Sequence, residues 1–326
     1  MPGAGSTPGR RQRRRTRHSS GQRVVPARGL FPTLGSSRER GRQSGGMTQM
    51  ASLRVLDQAS DAAQPVNEDL VGIASGAVWI LDGATGVGAR ALPSQPSDAA
   101  WFVATLSQGM QRHLEPAAPT RTALGAAIAD VAAAYHALRP AAAAESPAAS
   151  LALLRRDEEG IELTSLGDCK SLVRTPDGAT TAFGHSPVTS FDAAVVDRLK
   201  ELRAAGLRSR AEAWPHLMAM IRANRRLRNR PEGYWVLDET QAPLAHLQRR
   251  KIAAPCTVML ITDGFYRLVD TLHRYDEAGL IAAASSGLGK LIEELRELER
   301  SDPECLVFPR IKPHDDASAV LVEVGP

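Results

Sequence analysis

The sequence predicts an α+β domain in which antiparallel β-sheets are covered by helices. Apolar runs of strand length occur in groups, stretches with helical periodicity separate these groups, and no glycine-rich phosphate-binding loop follows a strand. Regular alternation of strands and helices would instead favour a doubly wound parallel sheet. The grouping of the strands therefore favours antiparallel sheets.

Composition limits the class of protein. The 326 residues, 43% of them apolar, are enough for one large domain or two small ones. Three widely spaced cysteines without a CxxC pair argue against a disulfide framework and a structural zinc site, and favour a reducing compartment; they are Cys169, Cys256 and Cys305. No uncharged apolar run approaches the length of a membrane span, so we expect a cytoplasmic protein with no membrane contact.

The positive charge of the chain belongs to its first 46 residues. These contain eleven Arg and one Glu, whereas residues 47–326 have a net charge of −6. A segment so basic and so poor in apolar residues cannot offset the entropy of ordering, so residues 1–46 are predicted to be a disordered basic arm. The alternative is that synthesis begins at Met47 or Met50. Nucleic-acid binding by the arm is the least favoured interpretation.

The first half of residues 47–326 contains strands and two helical stretches. Residues 54–61 and 70–81 are each predicted to form a strand. Residues 98–114 have a helical apolar face, and residues 121–139 have a continuous apolar stripe at steps of four and three residues. Three further strands of a meander are then predicted, over residues 151–154, 161–166 and 172–174.

The second half is helical over residues 192–229 and again over residues 287–299. Between and after them, apolar runs at residues 258–261 and 320–322 predict two more strands. No internal repeat and no Pro/Gly linker interrupts the chain after residue 50. One domain over residues 47–326 is therefore the simpler prediction.

Acidic motifs at the ends of these apolar runs are the main functional signal. Val78-Trp79-Ile80-Leu81 leads directly into Asp82-Gly83, and the run at residues 258–261 leads into Thr262-Asp263-Gly264. Asn67-Glu68-Asp69 precedes the first of these runs, and Asp315-Asp316 precedes the last strand. Carboxylates gathered at one edge of a sheet repel one another, and a hard divalent cation with oxygen ligands relieves that repulsion. Taken singly, each Asp-Gly could be an ordinary turn; taken together, they predict a metal site.

The ordered set of motifs resembles the metal-dependent type 2C protein serine/threonine phosphatases, in particular the bacterial branch. The resemblance covers residues 51–324 and includes Gly167-Asp168-Cys169-Lys170 between the second and third acidic motifs. It implies a four-layer sandwich of two antiparallel β-sheets flanked by helices. It also implies hydrolysis of phosphoserine or phosphothreonine in proteins by a water activated between two or more Mg²⁺ or Mn²⁺ ions. The candidate partners are a phosphoprotein substrate and a cognate serine/threonine kinase system.

The resemblance also implies roles for individual residues. Asp82 would bridge two cations and, with Asp263, would be the essential catalytic acid. The metal ligands that it implies besides Asp82 are Glu68 and Asp69 through water, the carbonyl of Gly83, Asp168, Asp263 and Asp315. Asp316 would support the site unless the alignment slips by one residue, in which case it would replace Asp315.

The sequence departs from the family pattern at the positions that contact phosphate. Gln64 stands where many members have an Arg that holds the substrate phosphate, and Ala84 stands where many eukaryotic members have a His. The element Gly-Asp-Ser-Arg is Gly-Asp-Cys-Lys, and Asp316 replaces the usual Asn. These changes leave a second hypothesis open, a catalytically weak phosphatase fold that acts as a binding or sensing module.

Basic residues outside the arm allow two interpretations. Arg267 follows Asp263 closely enough to be a replacement phosphate ligand, although a structural role is favoured. The arginines between residues 222 and 230 are typical of a solvated helix end, but they could also recruit an acidic or phosphorylated partner.

Overall fold

The computed structural model describes residues 52–138 and 145–326. The basic arm predicted over residues 1–46 lies outside the described residues. Within the described ranges, no helix is both long enough and apolar enough to cross a membrane.

Ten strands in the described residues form two five-stranded sheets in which all paired strands are antiparallel. The strands are β1 (Leu53–Asp61), β2 (Asp69–Ala74), β3 (Ala77–Ala84), β4 (Ala148–Asp157), β5 (Gly160–Leu166), β6 (Lys170–Arg174), β7 (Thr180–Phe183), β8 (Gln248–Ile252), β9 (Cys256–Ile261) and β10 (Ala317–Val324). The first sheet has the order β2-β3-β4-β5-β8, and the second sheet has the order β1-β10-β9-β6-β7.

Seven α-helices in the same residues surround the sheets. They are α1 (Asp98–His113), α2 (Thr120–Ala137), α3 (Val188–Ala204), α4 (Arg210–Arg225), α5 (Asp263–Asp270), α6 (Glu277–Ala283) and α7 (Leu288–Ser301). Short 3-10 helices lie at Ala242–His246 and Ala284–Ser286.

Three apolar cores divide the molecule into four layers. One core lies between the two sheets, a second joins the first sheet to α1 and α2, and a third joins the second sheet to helices α5 to α7. Strand β3 contributes to two cores, because Val78 and Ile80 point between the sheets while Trp79 and Leu81 point toward α1 and α2. A strand covered on both faces has no polar side, and this explains its unbroken apolar run. The predicted α+β sandwich is confirmed.

The prediction of one strand over residues 70–81 is wrong. These residues belong to the hairpin β2–β3, which turns at Ser75-Gly76 between Ala74 and Ala77. Gly76 has a φ of +78°, a conformation that a two-residue hairpin loop requires and glycine tolerates. Apolar residues on both sides of such a short loop hide the turn in the sequence.

The predicted meander over residues 151–174 is only partly correct. Strands β4 and β5 form a hairpin in the first sheet, but β6 crosses to the second sheet and pairs with β7 and β9. Gly167, at φ +84°, allows the chain to change direction between the sheets. The short strands β7 and β8 were not predicted.

The helical stretch predicted over residues 192–229 is two helices. Gly206, at φ +101°, ends the first, and Ser209 begins the second with a capping box to Glu212. Helices α5 and α6 have only eight and seven residues, too few to show a clear helical period. The predicted helices near residues 98–114, 121–139 and 287–299 are confirmed as α1, α2 and α7.

The two ends of the described chain meet in the second sheet. Strand β1 pairs with β10 so that Leu53 lies opposite Val324 and Asp61 lies opposite Ala317. This pairing brings the start of β10 to the loop that precedes β2. This strand pairing therefore brings together acidic motifs that lie near opposite ends of the sequence.

Two glycines at the second position of a helix provide a matched test of packing near this edge. A Cβ on Gly264 of α5 would lie 1.9 Å from the carbonyl oxygen of Asp316, whereas a Cβ on Gly289 of α7 would meet no atom within 4 Å. We expect Gly264→Ala to lower the free energy of unfolding by about 2 kcal/mol or more. Gly289→Ala should be neutral or stabilising by roughly 0.5–1 kcal/mol.

Urea denaturation of the two variants measures the difference. Equal stability of Gly264→Ala and Gly289→Ala would show that α5 does not press against the segment before β10.

Candidate functional site: a carboxylate cluster at one edge of the sandwich

The hairpin β2–β3 supplies the first two carboxylates. Asp69 begins β2 and lies directly opposite Asp82 near the end of β3. The backbone N–H of Gly83 donates to the carbonyl oxygen of Glu68 at 3.0 Å, which continues the pairing by one residue. Residues opposite each other in antiparallel strands have Cβ atoms only about 5 Å apart, so the register alone brings these two acids together.

Strand β9 brings a third carboxylate from the other sheet. Its last residue, Ile261, is followed by Thr262 and then by Asp263, the first residue of α5. The Thr262 hydroxyl donates to the Asp69 carboxylate at 2.9 Å and accepts from the backbone N–H of Ser318 at 3.0 Å. Thr262 therefore fixes the edge of one sheet against the edge of the other.

Asp82 and Asp263 lie close enough for each carboxyl group to affect the pKa of the other. Burial and the neighbouring charges of Asp263, Asp69 and Asp168 raise the pKa of Asp82 well above its ordinary value. Burial, followed by the charge of Asp315, raises the pKa of Asp263 to about 6. Two carboxyl groups in this contact cannot both be ionised without cost, so the pair retains a proton at a pH where an isolated aspartate has lost it.

Asp168 joins the cluster from the crossover between β5 and β6. Ser150 on β4 donates its hydroxyl to the Asp168 carboxylate at 2.5 Å and accepts from the Asp168 backbone N–H at 3.2 Å. A Cβ on the preceding Gly167 would lie 2.1 Å from the Ser150 hydroxyl, so this approach requires glycine. The charge of Asp168 contributes to the raised pKa values of both Asp82 and Asp263.

Glu68 is turned away from these four carboxylates and toward the start of α1. Its Oε1 accepts from the hydroxyl of Thr85 at 2.6 Å and from the hydroxyl of Ser97. Ser97 is also the N-cap of α1. The Glu68 side chain therefore connects the hairpin β2–β3 to the helix that covers it.

Asp315 lies next to Asp263, but both of its carboxylate oxygens have basic partners. The ammonium of Lys312 donates to Oδ1 at 2.8 Å, and Nη2 of Arg267 donates to Oδ2 at 2.8 Å. Burial alone would raise the pKa of Asp315, but the charges of Lys312 and Arg267 outweigh it and hold the pKa below its ordinary value. Asp315 is thus a neutralised member of the cluster.

Arg267 belongs to a buried ion-pair network. Its second amino group donates to Glu299 at 2.9 Å, and Glu299 also accepts from Arg296 at 2.6 Å and contacts His314 at 3.1 Å. Only 8% of Arg267 is exposed. A guanidinium held between two carboxylates in this way has a structural role, and it is not directed at a substrate as a free cation would be.

Asp316 holds the loop before β2. Its two carboxylate oxygens accept from the backbone N–H groups of Ala63 and Glu68, at 2.7 and 2.6 Å. Because both oxygens already have donors, Asp316 positions Glu68 and Asp69. This is the supporting role that the motif resemblance implies for Asp316 when Asp315 is the aligned acid. The site roles implied for Glu68, Asp69, Asp82, Gly83, Asp168, Asp263 and Asp315 remain predictions.

The cluster is not a preformed metal cage. Across residues 52–138 and 145–326, no three His, Cys, Asp or Glu side chains stand in an arrangement that would hold an ion directly. The structure gathers Asp69, Asp82, Asp168 and Asp263, places Asp315 beside them facing its basic partners, and turns Glu68 toward α1. An ion would have to draw these carboxylates together.

Two residues of this region were not anticipated from the sequence. Asp192 on α3 is part-buried, and burial together with the charges of Asp168 and Asp263 raises its pKa to about 7. Lys312 follows an irregular segment in which no periodicity indicates what it contacts. Its spacing of three residues from Asp315 was the only available signal.

Comparison with known proteins gives matches to solved structures only. No protein-family model matches the sequence, and no curated protein matches it. The catalytic domain of the serine/threonine protein phosphatase PstP, solved with two manganese ions, is 18% identical with a TM-score of 0.48, and the match covers 85% of this chain and 100% of that chain. Serine/threonine phosphatase Stp1 from Staphylococcus aureus is 13% identical with a TM-score of 0.49, covering 87% of this chain and 100% of that chain.

A third match is the PPM Ser-Thr phosphatase MsPP from Mycobacterium smegmatis, solved with cacodylate. It is 19% identical with a TM-score of 0.44, and covers 83% of this chain and 99% of that chain. These solved structures belong to the class of phosphatase that the acidic motifs resemble. The identities and TM-scores are too low to carry an argument about activity.

The raised pKa values predict how stability depends on pH in the absence of metal ions. Asp263 has a pKa of about 6 in the folded protein against 3.8 ordinarily, and those of Asp69 and Asp82 are raised as well. The folded state therefore binds protons more tightly than the unfolded state, and stability falls as pH rises from about 4 through 6. In EDTA, the Tm should be about 3 °C or more lower at pH 8 than at pH 5.

Thermal denaturation at the two pH values checks this, and the smaller loss expected for Asp82→Asn serves as a control because that variant lacks one of the repelling charges. A Tm that is higher at pH 8 than at pH 5 would contradict the crowding of these acids.

Proposed function

We propose that this chain is a Mg²⁺- or Mn²⁺-dependent phosphatase that hydrolyses phosphoserine or phosphothreonine in proteins. The observation that carries the proposal is the contact of Asp82 with Asp263 beside Asp69 and Asp168. Among the described residues, no basic side chain donates a hydrogen bond to any of these four carboxylates.

The chemistry of these donors fits a hard divalent cation. Carboxylate and carbonyl oxygens are the ligands that Mg²⁺ and Mn²⁺ prefer. Asp82 and Asp263 would hold the ions, with Asp69, Asp168 and the carbonyl of Gly83, while Glu68 would act through water. Asp315 fits less well, because Lys312 and Arg267 occupy its oxygens. When bound, such ions lower the pKa of a water and stabilise charge on phosphoryl oxygens.

The residues of the chain prepare this site for a cation in two ways. Thr262 and Ser150 orient Asp69 and Asp168 by hydrogen bonds. Asp82 and Asp263, whose pKa values are raised by burial and by neighbouring carboxylates, would give up protons to solvent on holding a cation. Cys169 is not a nucleophile, because its thiol is buried and burial, together with the charges of Asp82 and Asp168, raises its pKa well above the ordinary value. Attack by water is therefore the route that the site favours.

The cluster can be reached by a protein side chain. Asp82, Asp168, Asp263 and Asp315 are each partly exposed at the edge of the sandwich. A phosphoprotein substrate, a cognate serine/threonine kinase that generates it and a cytoplasmic location complete the proposal. The motif resemblance and the accessible acids support it.

Replacement of either central carboxylate tests the activity. We expect Asp82→Asn and Asp263→Asn to lower kcat/KM for a phosphothreonine peptide about 100-fold or more in Mn²⁺, because each removes a charge that holds the cation. Asp130→Asn is the matched control, since Asp130 is a surface residue paired with Arg112 and His113 on the outer helices. Phosphate release measured by a colorimetric assay gives the result.

Full activity in both variants, or undiminished hydrolysis in EDTA, would refute the proposed function. Tight Mn²⁺ binding without hydrolysis of any peptide in a broad phosphopeptide panel would favour the binding module instead.

Removal of Lys312 tests whether Asp315 contributes to metal binding. Because its ammonium occupies Asp315 Oδ1, we expect Lys312→Met to bind Mn²⁺ about tenfold more tightly than the natural protein, and Lys312→Arg to behave like the natural protein. Lys200→Met removes a similar i,i+3 pair with Asp197 outside the site and should change nothing. Isothermal titration calorimetry measures the affinities, and identical curves for all four proteins would mean that Lys312 and the ion do not compete.

A further inference from the structure

Four arginines near the end of α4 form no side-chain hydrogen bond and no ion pair among the described residues. They are Arg222, Arg225, Arg226 and Arg230, which together we call the arginine face. Arg222, Arg226 and Arg230 are exposed, and Arg225 is half-buried. By contrast, the nearby Arg228 donates to the carbonyl oxygen and hydroxyl of Ser146, at 2.8 and 3.2 Å, and has a structural role.

Helix stability does not account for the arginine face. One or two cations in the last turn complement the helix dipole, but Arg222 and Arg226 are four residues apart and repel each other. Arg230 lies beyond the end of α4 at Arg225. The set is larger than the helix end needs, and its internal repulsion is a cost that an anionic ligand would relieve.

The segment that bears the arginine face differs in charge from the rest of the domain. Residues 188–230 contain ten basic and four acidic residues, a net charge of +6, whereas the other residues of 47–326 contain 19 basic and 31 acidic residues. The face is therefore a local positive surface on an otherwise negative domain of residues 47–326. A long polyanion such as RNA would meet repulsion beyond it, but a short acidic peptide would not.

Contacts between α3 and α4 place this surface beside the carboxylate cluster. Asn224 donates to the carbonyl oxygen of Phe191 at 3.3 Å, and the Phe191 ring lies 5.9 Å from the ring of Tyr234. Phe191 is followed by Asp192, which interacts electrostatically with Arg225 on one side and with Asp168 and Asp263 on the other. Arg228, within the same stretch of chain, donates to Ser146 just before β4, and the first residues of β4 pair with Ala84 and Gly83 next to Asp82. These contacts place the segment that bears the arginine face near the proposed active site.

We propose that the arginine face binds acidic residues that flank the phosphorylated residue of a protein substrate. This inference deepens the proposed function and rests on it for the substrate, but the face itself is defined by arginines that form no ion pair among the described residues. Guanidinium groups bind carboxylates in charge-assisted pairs, and several exposed groups together select a cluster of acids over a single one.

Peptide binding tests the face without requiring hydrolysis. The full chain is titrated into a fluorescein-labelled, unphosphorylated peptide rich in Asp and Glu, and into the same peptide with Asn and Gln in their place, and anisotropy is recorded at low and at physiological salt. We expect the acidic peptide to bind about tenfold more tightly at low salt, and this preference to shrink as salt screens the charges.

Two triple variants of equal charge isolate the arginine face. Arg222→Gln/Arg226→Gln/Arg230→Gln should lower the preference for the acidic peptide, because the three exposed side chains contribute to it, whereas the charge of residues 1–46 is the same in both variants. Arg121→Gln/Arg174→Gln/Arg300→Gln removes three exposed arginines elsewhere and should retain the preference of the natural protein. Equal behaviour of the two variants, or no preference in the natural protein, would overturn the inference.

The same proteins separate this inference from the proposed function. With Mn²⁺ and phosphothreonine peptides, we expect the first triple variant to raise KM for the acidic peptide while leaving kcat and the neutral peptide unchanged. Peptide binding without hydrolysis would refute the phosphatase and leave the docking surface standing. Displacement of the acidic peptide by a single-stranded oligonucleotide at lower concentrations than by unlabelled peptide would assign the face to nucleic acid and overturn the inference.

Discussion

Crowding of carboxyl groups at one edge of the sandwich is the constraint on which the candidate site depends. The register of β2 against β3 sets Asp69 opposite Asp82, and the hydrogen bond from Thr262 fixes Asp69 to the end of the other sheet. Asp263 then has to lie close to Asp82, and each of the two carboxyl groups affects the pKa of the other. Strand pairing and two apolar cores provide the free energy that holds these repelling groups together, and a cation would relieve the repulsion that remains.

The cluster has two parts that differ in how their charge is balanced. Asp69, Asp82, Asp168 and Asp263 have hydroxyl or carboxyl partners, whereas Asp315 has a lysine and a buried arginine. Since Arg267 is itself fixed by Glu299, this second part is rigid except for Lys312, whose side chain is 57% exposed. The chain therefore supplies the positive charge beside Asp315 itself, and under the proposed function ions from solution would supply it to the other four acids.

The sequence predicted the edge of the sandwich better than the groups that surround it. Apolar runs that end in Asp82 and Asp263 identify buried strands and the residues that follow them, because burial on two faces leaves an unbroken apolar pattern. The Ser75-Gly76 turn, the crossing of β6 between sheets and the short helix α5 were missed, since two-residue turns and eight-residue helices leave too few residues for a period to show. Asp192 and Glu299 could not be placed, because their interactions join elements far apart in sequence and depend on tertiary packing. Lys312 contacts Asp315 only three residues away, but both lie in an irregular segment without a period that would indicate the contact.

A crystal soaked in Mn²⁺ and measured at the manganese absorption edge tests most directly whether the crowded carboxylates bind cations. If they do, we expect an anomalous peak at coordination distance from the carboxylates of Asp82 and Asp263. Anomalous density elsewhere, with none beside Asp82 and Asp263 at saturating Mn²⁺, would contradict this expectation.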